Sequence, residues 1–257
     1  MSERLLRPLI IALGLTLLWQ CVVWMTGAPK FILPGPLQVL TTLIDQLPLL
    51  LRHAGVTLTE ILLGLLLGVF LGLVSALSLI TWRGLRRWLM PVLVISQAIP
   101  VFALAPVLML WLGYGMASKV AMATLIIYFP VTAACFDGLR QTHTGYLKLA
   151  RTLGASRRAL LLQIRLPAAL PAFGSGLRVA ASVAPIGAVV GEWVGSSTGL
   201  GYLMLNANAR MQVDLMFAAL LVLALIAVSL YFLIDFLARW LTPWQADTMH
   251  SQNRRDR

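Results

Sequence analysis

Charge is scarce in this chain. Only 11% of its 257 residues are Asp, Glu, Lys or Arg, and 60% are hydrophobic. Soluble globular domains carry about 25% charged residues. A chain so poor in charge would not stay dispersed in water as a folded monomer, so the composition excludes an ordinary soluble domain and indicates a membrane protein.

Acidic residues are the scarcest charged type, with nine Asp and Glu against twenty Lys and Arg and a formal net charge of +11. An excess of cations can indicate nucleic-acid binding. In a membrane protein it is more typical of loops on the cytoplasmic side. We therefore expect no nucleic-acid partner.

Motifs for nucleotide binding and for common catalytic sites are missing as well. The sequence contains no Gly-x4-Gly-Lys-Ser/Thr loop, no Gly-x-Ser-x-Gly elbow and no His-Glu-x-x-His pair. Cys21 and Cys135 lie inside apolar runs without metal-ligand spacing. The three histidines, His53, His143 and His250, fall in loops or at span ends, where solvated or interfacial side chains are expected. We therefore predict no enzyme activity, no metal and no cofactor in this chain, and transport becomes the leading class.

What the sequence does contain is a series of long apolar stretches. A membrane span needs about 20 mostly apolar residues, and six stretches meet or approach that length: 9–25, 56–80, 89–112, 120–136, 168–190 and 215–237. No strong strand pattern occurs. The predicted fold class is all-α, a polytopic membrane protein with six transmembrane helices.

The segments outside these stretches have simpler predicted roles. Residues 9–25 are too long for a typical cleavable signal and are interpreted as a retained first span. Apolar residues within 34–48 recur at helical spacing, which predicts an amphipathic surface helix. The polar tail 248–257 is predicted to be disordered. A single transmembrane domain over 1–257, with its core at 55–245, accounts for the whole sequence.

The distribution of cations sets the predicted orientation. With the N-terminus inside, the inner segments hold fifteen Lys and Arg, the outer segments hold four, and Arg178 falls within the fifth span. Such an asymmetry favours both termini on the cytoplasmic side. The predicted location is the bacterial cytoplasmic membrane.

Glycines recur every fourth residue in two of the stretches. One series lies in the second span and the other in and after the fifth: Gly64, Gly68 and Gly72; Gly187, Gly191, Gly195 and Gly199. Small residues at this period let helices approach closely in lipid. The faces are interpreted as tight helix contacts, or as surfaces on which helices slide during a cycle.

The third stretch is interrupted by prolines. Pro91, Pro100 and Pro106 each remove a backbone donor and can kink a helix, and Ser96-Gln97 lies between them. The pattern fits a helix that bends around a pathway, and equally a helix that is merely kinked.

Four ionisable residues lie in or near the spans. A charge at membrane depth is a functional hypothesis by default. Glu60 and Asp235 lie near span ends, where they can reach the interface and serve structural roles. Arg178 and Glu192 are about 21 Å apart along a straight helix, so they need partners on other helices. We take Gln97, Pro100, Arg178 and Glu192 as candidate pathway residues.

A basic segment, 146–167, separates the fourth and fifth stretches. It holds five Lys and Arg and no acid, so it must lie on a membrane surface, and the charge distribution places it in the cytoplasm. The sequence predicts a short helix, a break at Gly154-Ala-Ser, and a second short helix closed by Leu166-Pro167. Such a segment looks like a docking site for a soluble partner.

This segment also carries a family resemblance. Ala150-Arg-Thr-Leu-Gly154 followed by Ile164-Arg-Leu-Pro167 resembles the cytoplasmic loop of bacterial ABC-importer permeases, Glu-Ala-Ala-x3-Gly-x9-Ile-x-Leu-Pro. Motifs in order over most of the chain are similar to the nitrate/sulfonate/taurine permease family. They include 33–36, 99–100, Pro106 with 111–119, 129–130, 176–178, 190–193 and 199–202.

The resemblance implies a mechanism and partners. It implies a homodimer of this chain in the lipid membrane, two cytoplasmic ABC ATPase subunits that bind ATP, and a periplasmic or lipid-anchored solute-binding protein. It implies that the loop docks on the ATPase. The implied coupling residues are Lys148, Ala150, Arg151, Leu153, Gly154, Ala155, Ile164, Leu166 and Pro167. Lys148 departs from the family pattern, which has Glu there, and puts any salt bridge made by that Glu in doubt.

Within the family, the runs 99–106 and 184–193 most resemble the hydroxymethylpyrimidine branch, which handles a thiamine precursor. Permeases for alkanesulfonates, taurine or nitrate are the alternatives. An ion-coupled secondary carrier would need acidic residues at mid-membrane and inverted repeats, which the sequence does not show. A membrane scaffold that only recruits a cytoplasmic partner is the third possibility.

Overall fold

The structure is a computed structural model that describes residues 2–245, apart from the side chains of residues 2–5, 7–9 and 97. The predicted disorder of 248–257 concerns residues outside this range. The chain divides into two compact units. The first comprises Met1–Thr59 and Glu192–Ile226, and the second comprises Glu60–Gly191 and Ala227–Arg257.

The described residues form helices joined by short connections. In chain order they are α1 Ser2–Thr26, α2 Pro36–Asp45, α3 Leu47–Thr81, α4 Arg83–Ala98, α5 Val101–Leu112, α6 Met116–Arg140, α7 Thr144–Thr152, α8 Arg157–Ala159, a π-helical stretch Leu160–Arg165, α9 Leu166–Trp193, α10 Leu200–Ala209 and α11 Val213–Leu241. The all-α prediction is confirmed.

Four of these helical segments are long and apolar enough to cross a membrane: Leu47–Thr81, Met116–Arg140, Arg157–Trp193 and Val213–Leu241. They contain the predicted second, fourth, fifth and sixth spans and are all longer than predicted. In α1, Ile10–Thr26 is a shorter apolar helix. The total of six spans stays a prediction.

The predicted third span is not one kinked helix. The chain bends by 104° between α4 and α5, so this region is a broken span or a re-entrant loop. Ile99 is extended, with φ −80° and ψ 120°, as expected for a residue whose backbone is restricted by a following proline. Pro91 and Pro106 remain inside α4 and α5, so only Pro100 breaks the helix.

Glycines bring α3 and α9 against α6 within the second unit. A Cβ added to Gly64 would overlap that of Ala123, and one added to Gly187 would lie 2.6 Å from the Ala123 Cα. A Cβ on Gly68 or Gly72 would overlap Ile127 or Val131. The interpretation of these glycines as close helix contacts is therefore confirmed for α3 and for the α9 part of the second series.

The basic segment has the predicted break but not the predicted end. Gly154 adopts φ +81°, and its N–H donates to the Arg151 carbonyl while the Ala155 N–H donates to the Ala150 carbonyl. This pair of bonds is the Schellman motif that closes a helix with glycine in the left-handed region.

Beyond Gly154 the expected stop at Leu166-Pro167 is wrong, because the chain continues helically from Arg157 to Trp193. The π-helical turn directly before Pro167 explains this. In a regular α-helix, the proline ring clashes with the carbonyl four residues earlier, and the wider i→i+5 turn gives it room.

The predicted amphipathic helix in 34–48 is α2. In the first unit, Val39 of α2 joins a buried cluster with Leu50, Leu200 and Leu215. Leu37 and Ile44 remain exposed on the other side. The helix thus contacts protein on one face and leaves an apolar face outside, as expected for a helix at a membrane surface.

The glycine contacts predict a matched pair of effects within α3. Gly64→Ala should lower the free energy of unfolding by about 1–3 kcal/mol, since an added methyl must displace α6. Gly55→Ala should be neutral or stabilising by up to about 1 kcal/mol, because nothing lies within 4 Å of that position. Thermal unfolding in detergent measures both. Ala123→Gly should cost less stability in the Gly64→Ala background than in the unmodified chain, and equal costs in both backgrounds would contradict the contact.

Candidate functional site

One face of the basic segment is an exposed apolar groove in the second unit. Tyr146, Leu149 and Leu153 are 64%, 61% and 78% exposed, and they follow one another at i, i+3 and i+7 along one face of α7 and its C-cap residue, Leu153. With Ile164 of the π-helical turn they line a cavity of about 370 Å³. Large apolar side chains on a charged surface segment are typical of a contact site for another protein.

Only some of the residues expected to couple the chain to an ATPase line this groove. Ala150, Leu153 and Ile164 line it. Lys148 is exposed on α7, and Arg151 lines a separate cavity. The others lie in the turn or in the first turn of α9: Gly154, Ala155, Leu166 and Pro167. Tyr146 and Leu149 were not among the predicted residues, although their helical spacing with Leu153 could have indicated them.

Arg178 has the partner on another helix that its position requires. Its Nε donates to Asp235 Oδ1 of α11 over 2.6 Å, and Arg239 Nε donates to Asp235 Oδ2 over 2.9 Å. All three groups lie in the second unit. Asp235 therefore neutralises Arg178 between α9 and α11, close to where Gly174 faces Ala238.

Contrary to the expectation from the sequence, Glu60 does not reach the membrane–water interface. It is fully buried, and its Oε1 lies 3.2 Å from Lys119 Nζ. Lys119 is buried in α6 rather than exposed in an outer segment. The pair joins α3 to α6 within the second unit, and the α9 backbone approaches closely, because a Cβ on Gly191 would lie 3.1 Å from the Lys119 Cα. A buried charge is tolerated when it is paired in this way.

Glu192 is the centre of a buried cluster in the first unit. Its Oε1 accepts from Thr57 Oγ1 over 2.6 Å, and its Oε2 accepts from the N–H groups of Gly201 and Tyr202. Thr57 Oγ1 in turn accepts from the Leu200 N–H over 2.8 Å. The carboxylate therefore caps the start of α10, where unpaired N–H groups and the helix dipole favour a negative charge.

His53 completes this cap, contrary to the expected solvated position. It is buried, its Nδ1 accepts from the Gly199 N–H over 3.0 Å, and its ring stacks on Tyr202. Gly199 has φ +110°, and a Cβ there would overlap the Glu192 carboxylate. Together the three side chains satisfy the first four N–H groups of α10, from Gly199 to Tyr202.

The candidate pathway residues occupy different settings. Pro100 marks the break between α4 and α5, Arg178 pairs with Asp235, and Glu192 caps α10. Gln97 belongs to α4, and its side chain lies outside the described part of the structure. A pathway role for these four residues stays a prediction.

A polar cavity lies at the turn between α10 and α11 in the first unit. It measures about 360 Å³, and Arg210, Gln212 and Asp214 line it. Thr42 Oγ1 donates to Asp214 Oδ2 over 2.8 Å. In the same turn Met211 is exposed and has φ 58°, a conformation that costs an L-residue about 1–2 kcal/mol.

Comparison with known families identifies the chain. Residues 64–247 match the model of the binding-protein-dependent transport system inner membrane component. The chain belongs to this family. Its members are transporter permeases rather than enzymes, so the sequence resemblance and the absence of enzyme activity expected from it are both confirmed. This permease is thus a subunit of an ABC importer, and family membership excludes the carrier and scaffold alternatives.

Individual relatives support the same assignment. A probable ABC transporter permease protein of Haemophilus influenzae is 62% identical over 92% of this chain and 97% of its own. The formylaminopyrimidine transport permease ThiX of Halalkalibacterium halodurans is 38% identical over 95% and 98%. The riboflavin transport permease RibX of Chloroflexus aurantiacus is 39% identical over 90% and 87%.

Solved structures agree on the fold. A chain of the MetNI methionine ABC transporter, in an inward-facing conformation, matches 77% of this permease and 98% of its own length, with a TM-score of 0.67 and 20% sequence identity. At this identity the similarity supports the fold alone.

The cap on α10 predicts different outcomes at two threonines of α3. Thr57→Val should lower the free energy of unfolding by about 1–3 kcal/mol, because it removes the buried hydroxyl that donates to Glu192 and accepts from the Leu200 N–H. Thr59→Val is the control, since Thr59 is exposed and its hydroxyl donates to the Gly55 carbonyl of its own helix. Thermal unfolding in detergent separates the two, and equal effects would contradict the role of the cap.

Proposed function

We propose that this chain forms the membrane pathway of an importer for hydroxymethylpyrimidine or a related thiamine precursor, and that residues 146–167 dock on a cytoplasmic ABC ATPase. The observation that carries the docking proposal is the exposed apolar groove beside the Schellman turn at Gly154. An ATPase subunit that covered the groove would bury Tyr146, Leu149 and Leu153, which would otherwise stay exposed to water.

Movement of the ATPase would reach the membrane through a continuous helix. Residues Arg157–Trp193 run from the basic segment into the apolar span without interruption. A force applied at the groove would therefore be transmitted directly to α9, and α9 contacts α6 at Gly187. This permease has no nucleotide motif, so the partner binds the ATP.

The remaining assembly follows the family pattern. Two copies of this chain would form the pathway, with both termini in the cytoplasm of a bacterial cell, as the distribution of Lys and Arg supports. A solute-binding protein would then dock on the outer side. The polar cavity at Arg210 and the exposed Met211 in the same turn offer a contact surface for it. Gln97, Pro100, Arg178 and Glu192 remain the candidate pathway residues.

The substrate proposal rests on similarity. The motif runs 99–106 and 184–193 resemble the hydroxymethylpyrimidine branch, and ThiX, at 38% identity, carries a name that specifies an aminopyrimidine. RibX is 39% identical over a smaller share of both chains, so riboflavin is a second candidate, and taurine, alkanesulfonates and nitrate are further ones. Selectivity in such systems rests largely with the separate binding protein.

Gly154 offers a test of the docking surface. Gly154→Asn should retain ATPase binding, because Asn tolerates the left-handed region, whereas Gly154→Val should weaken binding about tenfold or more through strain in that region. Nothing lies within 4 Å of this position, so the difference reports backbone conformation. Pull-down of the ATPase by tagged, detergent-purified permease measures it. Normal binding by Gly154→Val, with unchanged thermal stability, would contradict the proposal.

The proposed substrate can be tested by isolating the partner proteins and measuring what the solute-binding protein binds. Pull-down of the tagged chain from its native membrane should recover an ATPase and a solute-binding protein, identified by mass. Calorimetry of that binding protein should show tightest binding to hydroxymethylpyrimidine or formylaminopyrimidine. Tightest binding to riboflavin, taurine, an alkanesulfonate or nitrate would replace the proposed substrate without affecting the permease assignment.

A further inference from the structure

A second cavity in the basic segment is lined by arginines. It measures about 500 Å³, and four arginines line it: Arg83 at the start of α4, Arg151 of α7, Arg157 of α8, and Arg165 at the end of the π-helical turn. All belong to the second unit. No Asp or Glu is among its lining residues.

Within the part of the chain that the structure describes, none of these four arginines forms a salt bridge with an acidic residue. Among the described residues, the ion pairs involve Lys119, Arg178 and Arg239, and none includes an arginine of this cavity. The start of α4 has no side-chain cap and no acidic residue in its first turn, so its helix dipole adds further positive potential. Four like charges around one cavity repel each other, and an anion that entered it would be bound by all four.

The other walls of this arginine cavity are mostly apolar. Ile80, Leu147, Leu160 and Leu161 line it together with Thr81. A small inorganic anion would gain nothing from such walls. An anion attached to an apolar body would contact both the guanidinium groups and the aliphatic side chains.

The arginine cavity adjoins the end of a membrane span. The apolar helix α3 ends at Thr81, and Trp82 and Trp88 on either side of the α4 start are 62% and 78% exposed. Exposed tryptophans beside arginines at a span end are typical of the membrane–water interface. This pattern favours a position for the cavity at the depth of lipid headgroups.

We propose that the arginine cavity binds the phosphate of an anionic phospholipid. Basic pockets between helices on the cytoplasmic side are suited to such headgroups, and guanidinium groups bind phosphate in a bidentate manner. The site is separate from the apolar groove, because Leu147 and Arg151 lie on a different side of α7 from Tyr146, Leu149 and Leu153. A bound lipid would connect the start of α4 to the coupling segment.

The proposal is tested with the full chain, delipidated in detergent, by native mass spectrometry with added cardiolipin, phosphatidylglycerol or phosphatidylethanolamine. The two anionic lipids should bind in preference to phosphatidylethanolamine. The double variant Arg83→Gln/Arg165→Gln should bind them about 30-fold more weakly, at about 1 kcal/mol for each arginine removed. Lipid binding is measured in the absence of the ATPase, so this result does not depend on the importer mechanism.

The matched control is Arg86→Gln/Arg158→Gln, which removes the same charge from exposed neighbours that do not line the arginine cavity. It should weaken binding less than about threefold. An equal loss in both double variants, or no preference for anionic lipid, would overturn the proposal. If the first variant does not fold, Arg83→Gln and Arg157→Gln replace it singly, each with a loss of about fivefold.

Two competition experiments identify the source of the anion. Millimolar inorganic phosphate that displaced the lipid completely would assign the cavity to a soluble anion and overturn the lipid proposal. Loss of the lipid on adding the ATPase subunit would assign the cavity to the protein partner, with the same consequence. Retention of the lipid in both experiments supports the proposal.

Discussion

Helices α3, α6 and α9 approach one another at glycines, and Ala123 of α6 lies against both Gly64 and Gly187. Lipid tails are as apolar as leucine, so hydrophobicity does not draw these helices together, and van der Waals contact between close backbones must do so. The short distance also brings Glu60 of α3 within reach of Lys119 of α6. The second unit depends on this constraint, because a larger side chain at any of these positions would separate its helices.

Besides the close glycine contacts, hydrogen bonds and ion pairs between buried polar groups connect the helices. In the second unit Asp235 neutralises Arg178, and in the first unit Glu192, Thr57 and His53 satisfy the start of α10. Away from water an unsatisfied N–H or an unpaired charge is costly. Such clusters therefore hold connections between helices in defined positions, which a permease needs if force on one helix is to reach another.

The basic segment carries both an apolar surface and part of an arginine-lined cavity on a short stretch of chain. One side of α7 offers apolar side chains to a protein partner, and another side contributes Arg151 to a cavity lined by cations. The helical period separates them, since residues three or four apart share a face. Because the segment continues into α9, whatever binds either side is connected directly to the membrane-spanning part of the chain.

Composition and periodicity were enough to determine the all-α membrane fold, most of the spans and the break at Gly154, and the resemblance of the ordered motifs indicated the family. These properties depend on local hydrophobicity and on backbone preferences that each residue carries with it. Only the tertiary structure decided which side chains contact one another. His53 looks like an interfacial histidine in sequence, and Lys119 like a loop cation, yet both are buried beside groups distant along the chain. The prolines show the same limit. The helix breaks at Pro100 but continues through Pro167, because the surrounding backbone accommodates each proline differently, and the local sequence does not predict that difference.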